Sequence, residues 1–379
     1  MNRRQFFIAL AVLAILAAAG AAVMLSDRSA WTAADSRAGQ KAIAGLRLAE
    51  VAEIAIVDSA GELHLARGET GWSVRERAGF AAETDRIAAL LVKLAELKIV
   101  QSETLPESQR ARLELLEPKG KVAGAGTLIE LKDAKGGSLG RLLLGKKIVK
   151  GPPVASLSRG ETEATGRYLT VGGEAGTLLA VGEPLAEVES KADQWLVKDL
   201  IRADGVKSVS SSKDGKARWM VTRDTESTDW RFAGSKERPD LQKATDLASS
   251  LGWVNLVDVV ADPKADTGLD HAIVIRADTF DGLSYTLRAG NRVGDNYYVK
   301  VAVAGEPRKT RTPAKGEKAE DKAKNDKEFE ERRKKLMEKV EREQKLERWT
   351  YLVAKNGVDP LLRDRPGLMP EKKKPAKKG

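Results

Sequence analysis

Hydrophobic and polar positions follow a repeating order along this chain. Residues 51–57 are mostly apolar and strand-like, residues 62–66 alternate between polar and apolar side chains, and a turn at 58–61 lies between them, which predicts a β-hairpin. A short strand with Trp72 follows. At Asp85 the period changes to that of an amphipathic helix. The apolar stripe of this helix consists of Ile87, Leu90, Leu91, Leu94 and Leu97.

A second segment repeats this order of elements. Trp230 lies 158 residues after Trp72, and Asp240 opens a helical pattern 155 residues after Asp85. Both copies then predict a hairpin, a strand that begins with Tyr and a closing strand. These lie at 127–145, 168–171 and 177–181 in the first copy and at 272–290, 298–301 and 349–353 in the second. We therefore predict an α+β fold of two tandem similar copies, residues 46–190 and 191–362, each with antiparallel strands packed by one amphipathic helix.

The second copy contains a charged insertion at about 306–347. Its first part is polar and lacks apolar periodicity, which predicts disorder. From Asp326 to Arg348, acid-to-base pairs four residues apart predict a helix. Phe329, Leu336 and Val340 give that helix only a thin apolar stripe. A solvated charged helix and a partner-docking arm remain the two interpretations.

The N-terminus carries a targeting signal. Arg3 and Arg4 precede an uncharged run from Phe6 to Leu25, which as a helix of ~30 Å matches the hydrocarbon core of a bilayer. We interpret residues 1–25 as an uncleaved signal anchor, with a cytoplasmic N-terminus and a linker at 26–45. A cleaved signal peptide and a twin-arginine export signal are the alternatives.

Charge and composition exclude some classes of function. The net charge is +10, but residues 306–379 carry +9 of it, so the remaining 305 residues are close to neutral. A basic groove for nucleic acid is therefore not expected. Residues 363–379 form a basic tail that we expect to be disordered. The absence of cysteine excludes disulfides, thiolate metal sites and Cys nucleophiles.

The sequence contains no recognisable arrangement of catalytic or metal-binding residues. The two histidines, His64 and His271, lie far apart in strand-like runs and are expected on a sheet surface. The acid pairs Asp258/Asp262 and Asp266/Asp270 have spacings that any acid-rich chain contains. Four aromatic side chains on predicted strands suit either core packing or stacking on a ligand; they are Trp219, Trp230, Tyr297 and Tyr298. We predict no catalytic, cofactor-binding or metal-ligating residue, no cofactor, and no enzymatic activity.

The element order resembles the bacterial domain-of-unknown-function 4340 family. The resemblance rests on the basic N-terminus with one apolar helix, the Trp strand, the helix opened by Asp, and the Trp-containing junction 194–201 (QWLVKDLI). It extends over about residues 46–362, and the insertion at 306–347 departs from the family's compact hairpin. The resemblance implies a membrane-anchored extracytoplasmic protein of the bacterial inner membrane, often encoded beside ABC-type permeases, and it supplies no catalytic residues.

From these observations we expect a non-enzymatic accessory or scaffold subunit of an envelope assembly, associated with an ABC-type transporter. Its expected partners are the membrane, through a single-pass anchor, and permease or auxiliary subunits, but not nucleic acid. The alternative is a periplasmic module that binds glycan or peptide.

Overall fold

The computed structural model describes residues 37–149, 164–172, 174, 176–252, 254–313 and 317–371. The chain divides into two compact units. The first contains residues up to 75 and 84–191, and the second contains residues 76–83 and those from 192 onward. The predicted first copy, 46–190, thus includes a short segment, 76–83, that belongs to the second unit.

The first unit is built around one sheet with a single long helix. Its strands are β1 (Glu53–Asp58), β2 (Gly61–Gly68), β3 (Gly71–Val74), β5 (Ile99–Thr104), β6 (Thr127–Lys132), β7 (Ser138–Val149), β8 (Ala164–Val171) and β9 (Thr177–Val181), while β4 (Phe80–Ala81) lies in the segment 76–83. Its helices are α1 (Thr84–Glu96) and the short α2 (Glu107–Arg110). The strands of this unit are arranged in the order β3-β2-β1-β6-β7-β8-β9-β5.

In the described residues, the second unit contains a nine-stranded sheet and three α-helices. Its strands are β10 (Asp199–Ile201), β11 (Val206–Lys213), β12 (Lys216–Thr222), β13 (Arg231–Phe232), β14 (Val254–Val259), β15 (Ile273–Thr279), β16 (Leu283–Val293), β17 (Asn296–Gly305) and β18 (Tyr351–Ala354). Its helices are α3 (Leu241–Gly252), α4 (Ala319–Gln344) and α5 (Lys355–Leu362). The strand order is β10-β14-β18-β17-β16-β15-β11-β12-β13.

The prediction of an α+β fold with antiparallel sheets is confirmed. Neighbouring strands of both sheets run antiparallel, for example β1 with β2 and β16 with β17. The two strand orders also correspond. Apart from β10, the first order becomes the second, read from its other end, when β1, β2, β3, β5, β6, β7, β8 and β9 are replaced by β11, β12, β13, β14, β15, β16, β17 and β18.

The two amphipathic helices bury the stripes that their spacing predicts. Helix α1 buries Ile87, Leu90, Leu91 and Leu94, and the following Leu97 is buried as well. Helix α3 buries Ala244, Leu247 and Leu251 and contacts β11 and α5. Leu241 has the same helical spacing as Ala244 and Leu251 but is about half exposed at the first turn of α3.

The predicted linker at 26–45 is partly built into the first unit. The Gly39 N–H donates to the Ile99 carbonyl at 2.8 Å, and the Ala42 N–H donates to Leu97 at 2.7 Å. Ala42 and Ile43 are buried. Residues 39–42 therefore lie beside the start of β5. In the second unit, β10 lies beside β14 in the same way. Small and polar composition suggested a linker, but satisfied backbone hydrogen bonds decided otherwise.

The charged insertion is more ordered than its sequence suggested. Helix α4 begins at Ala319, seven residues before the predicted start. Ahead of it, Arg311 bonds both Glu317 and Asp326, at 2.7 Å each, so the prediction of disorder is wrong around Arg311. The helix contacts β17, and Arg332 pairs with Asp281 at 3.0 Å rather than following only the predicted pattern within the helix. Tertiary ion pairs therefore order a segment that has little apolar surface.

The predicted signal anchor at 1–25 lies outside the described residues, as do residues 372–379 of the basic tail. The prediction of disorder is wrong for residues 363–371, because Leu368 is fully buried and its carbonyl accepts from the Asp240 N–H at 2.9 Å. Within the ranges that are described, no helix combines the length and apolar character needed to cross a membrane.

Candidate functional site

The segment 76–83 anchors one side of the candidate site in the second unit. Ala78 and Gly79 both have positive φ angles, 53° and 69°, which turn the chain sharply ahead of Phe80. The Phe80 side chain is 1% exposed and meets the ring of Trp349 edge-on at 5.1 Å between centroids, with Tyr351 at 5.8 Å. The Trp349 indole N–H donates to the Ala78 carbonyl at 3.2 Å. Aromatic packing therefore holds this segment firmly against β18.

A bidentate ion pair fixes the same segment. Arg77 donates from Nε to Asp258 Oδ1 at 2.6 Å and from Nη2 to Oδ2 at 2.9 Å, and both side chains are largely buried. The hydrogen bond to Asp258 raises the pKa of Arg77. Two parallel charge-assisted bonds specify orientation as well as proximity.

We expect this pair to show a measurable coupling. A double-mutant cycle of Arg77→Met and Asp258→Asn, followed by urea unfolding, should give a coupling free energy of about 1 kcal/mol, because the forked geometry loses both bonds together. The matched control is the more exposed pair Arg75–Glu53, at 2.7 Å, whose coupling should be smaller. Equal couplings in the two cycles would contradict this ranking.

Next to Phe80 lies a groove of about 500 Å³ with largely apolar walls. Strands β10 and β14 form one side, and the last turns of α4 form the other. Its lining residues are Phe80, Ala81, Val197, Asp199, Leu200, Ile201, Arg202, Gly252, Val254, Asn255, Lys339, Arg342, Glu343 and Leu346. A groove of this volume, with apolar walls and a few convergent polar groups, is typical of a ligand or partner site.

A buried polar cluster forms the α4 side of the groove. Glu343 is 4% exposed and accepts from the Tyr285 hydroxyl at 3.1 Å and from the Arg202 backbone N–H at 3.4 Å. Lys339 Nζ lies 3.9 Å from the Glu343 carboxylate and donates to the Arg202 carbonyl. Lys339 also lies 3.5 Å from Asp204. These bonds attach α4 to β16 and to the residues after β10.

Burial dominates the electrostatics of this cluster. It raises the pKa of Glu343 above its ordinary value, although Lys339 and the Tyr285 hydrogen bond act in the opposite direction. Burial also raises the pKa of Tyr285, and the neighbouring Glu343 charge adds to that shift. The carboxylate therefore resists ionisation more than a solvated glutamate does.

A second groove, of about 440 Å³, lies on the first unit. Tyr168 and Leu178 form its floor beside Leu113, and polar side chains of Gln101 and Glu103 on β5 flank it. The apolar residues under it belong to a small separate core cluster around Leu105, Leu115, Leu143 and Leu178. An aromatic ring beside amide and carboxylate groups suits a polar ligand with one apolar face.

Comparison with known proteins identifies the family. The family model described as "Domain of unknown function (DUF4340)" matches residues 72–272, more than half of the chain. The chain belongs to this family. No curated protein and no solved structure matches it significantly. In this family member, helix α4 and Glu343 lie outside the matched range, so the match does not account for the α4 side of the groove.

The structure disperses the reactive residues considered from the sequence. His64 lies on β2 and is half-buried, as expected for a sheet histidine. His271, expected in a strand-like run, instead ends a short 3₁₀ helix, Leu269–His271, with Nδ1 3.4 Å from Asp214. Among the described residues of this family member, no group of three or more His, Asp or Glu side chains is arranged to hold a metal ion.

The acid pairs and aromatic residues also separate by role. Asp258 is bonded to Arg77, and an Asp262 carboxylate oxygen accepts from the Lys264 N–H at 2.8 Å. Trp219 and Trp230 are buried, which favours the interpretation as core residues. The Tyr297 hydroxyl donates to Asp359 at 2.9 Å, and Tyr298 is half-buried.

Sequence reasoning missed the main features of the candidate site. The sequence by itself predicts no role for Phe80 or for Glu343. One signal was available for Glu343, because it continues the spacing of Phe329, Leu336 and Val340 on one helix face. Nothing in the local sequence pairs Phe80 with residues 349–351.

Proposed function

We propose that this chain is a membrane-anchored, non-enzymatic accessory subunit of a bacterial envelope assembly, associated with an ABC-type transporter. The observation that carries the proposal is helix α4: its inner face forms one wall of the groove, and its outer face is exposed and charged. An inserted helix of this kind offers a partner both an apolar recess and a rim that fixes orientation.

The anchor part of the proposal rests on residues 6–25. An uncharged run of this length behind two arginines favours a signal anchor with a cytoplasmic N-terminus and both units in the periplasm. In this arrangement α4 and the groove face partners outside the cytoplasm.

Fractionation tests the anchor. We expect the full-length chain to remain in the membrane pellet after an alkaline carbonate wash, and deletion of residues 2–25 to prevent export and pelleting. Replacing this segment with an unrelated single-pass anchor should restore both. A shortened mature chain in the soluble periplasmic fraction would rule out the anchor.

Affinity capture tests the partner. Cross-linking in cells and detergent solubilisation should recover ABC-type permease or auxiliary subunits with the parent chain. A Leu346→Asp variant places a charge in the groove and should reduce recovery, whereas Lys335→Gln on the exposed face of α4 is the control. Recovery of no membrane protein with the parent would contradict the assembly role.

A periplasmic glycan- or peptide-binding module is the second candidate. The groove around Tyr168 favours it, because a partly buried aromatic ring beside amide and carboxylate groups suits sugar or peptide stacking. We expect Tyr168→Ala to abolish binding of soluble cell-wall fragments if this function holds. Unchanged binding would place any such site elsewhere.

We further propose that the two units are copies of one ancestral domain. The corresponding strand orders and the equivalent positions of α1 and α3 support this proposal. The side chains of the two grooves differ between the copies, which favours separate roles for each unit.

A further inference from the structure

Arg167 on β8 is buried without a charged partner. Its side chain is 8% exposed, and its guanidinium Nε donates to the Gly145 carbonyl at 2.8 Å. Nη1 donates to the carbonyls of Leu185 at 3.1 Å and Pro184 at 3.4 Å. Within the described ranges Nη2 makes no hydrogen bond, and no carboxylate lies within ion-pair distance. Burial of a charged group without a counter-charge is costly, so this arrangement calls for an anion.

A second cation lies directly opposite. Lys147 on β7 is the register partner of Arg167, next to a bulge that follows Leu144. Like charges in this position repel each other. Lys147 has no ion pair with any residue that the structure describes. Both side chains line a cavity of about 310 Å³, which is at the small end for ligand pockets.

Two of the three acids that line this cavity already have partners. Asp58 accepts from the Ser190 N–H at 2.9 Å, from the Ser190 hydroxyl at 2.6 Å and from the Ala60 N–H at 2.7 Å. Glu189 pairs with Lys191 at 2.8 Å. The third acid, Glu114, is exposed and acts on Arg167 only through longer-range attraction. The cations therefore keep uncompensated donors.

We propose that this cavity binds a small oxyanion, a carboxylate or phosphate group, held by Arg167 Nη2 and Lys147 Nζ. The planar guanidinium suits an anion with two or more oxygens, and the ammonium adds a second point of charge. The small volume fits a free small molecule or the terminal group of a larger one. Tyr298 in the second unit corresponds to Tyr168 in the first. Tyr297 therefore stands where the first unit has Arg167, and the proposed site belongs to the first unit alone.

Anion titration of the full-length chain in detergent tests the proposal. Sodium phosphate and sodium acetate are titrated separately at constant ionic strength, and the melting temperature is recorded. We expect a saturable rise with at least one of the two probes and none with chloride. A response to phosphate alone identifies a phosphate site, and a response to acetate alone identifies a carboxylate site.

Three variants decide whether the response belongs to this cavity. Lys147→Gln should weaken the apparent affinity about tenfold, through loss of a charge-assisted bond. Lys146→Gln removes the same charge from an exposed neighbour that does not line the cavity and should leave the affinity unchanged. Glu114→Gln should strengthen binding by removing the nearby negative charge.

Arg167→Gln should abolish the response. If that variant fails to fold, Lys147→Gln and Lys146→Gln still decide the question. Equal affinities in these two lysine variants would overturn the proposal. So would the absence of a saturable response to either probe, because Arg167 would then be satisfied by groups of its own chain.

Discussion

Replacement of Phe80 by alanine is expected to destabilise the second unit by about 3–5 kcal/mol. Phe80 is almost fully buried against Trp349 and Tyr351, so truncation removes a large apolar surface and leaves a cavity. Two edge-to-face ring contacts are lost with it. The effect should appear in the second unit although residue 80 lies between residues of the first.

Hydrogen exchange of the full-length chain resolves where the loss occurs. In Phe80→Ala, protection should fall in β10, β14 and β18, while β1, β6 and β7 keep theirs. Phe80→Leu should cost less, because it retains much of the buried volume. Val92→Ala, at an exposed position of α1, is the control and should change stability within about 0.5 kcal/mol. Loss of protection confined to the first unit would contradict the assignment of segment 76–83.

Replacement of Glu343 is expected to alter both stability and its dependence on pH. Glu343→Ala leaves the buried Tyr285 hydroxyl and the Arg202 N–H without their acceptor, at a cost of about 1–3 kcal/mol. Helix α4 should then separate more readily from β16. Increased hydrogen exchange over the last turns of α4 would show this.

Glu343→Gln isolates the contribution of the charge. Because burial raises the folded-state pKa of Glu343, the folded chain binds this proton more tightly than the unfolded chain does. The stability that this adds is fully present below the unfolded-state pKa and is lost as pH rises through the folded-state pKa. Glutamine carries no such loss and still offers an acceptor and a donor. Glu343→Gln should therefore be more stable than the parent at pH 7, and the difference should shrink towards pH 4.

Urea unfolding at several pH values measures this difference. Lys339 and Arg342 on its own helix and the Tyr285 hydroxyl on β16 act on the Glu343 carboxylate, and Asp204 lies 3.5 Å from Lys339. The matched control is Glu341→Gln on the exposed side of α4, which should show no comparable dependence. If the difference in unfolding free energy between Glu343→Gln and the parent instead grew towards pH 4, the pKa of Glu343 would be lowered rather than raised by folding.

Much of the fold was predictable because its signals are local. Alternation along a strand and the helical spacing of Ile87, Leu90 and Leu94 follow from which face of an element is buried, and each signal is complete within a dozen residues. The parallel order of elements around Trp72 and Trp230 came from the same local patterns. The candidate site was less accessible, because its members are distant in sequence and individually ordinary.

The amino-acid sequence by itself determined the α+β class, the amphipathic helices and the family to which the chain belongs. Only the tertiary structure decided that residues 76–83 belong to the second unit, that residues 39–42 extend a sheet edge, and that Glu343 and Arg167 are buried. The physical reason is the range of the interactions. Periodicity reports which side of an element faces the core. An isolated Phe, Glu or Arg is instead positioned by partners that are distant in sequence. Ala78 and Trp349, which share a hydrogen bond, are about 270 residues apart.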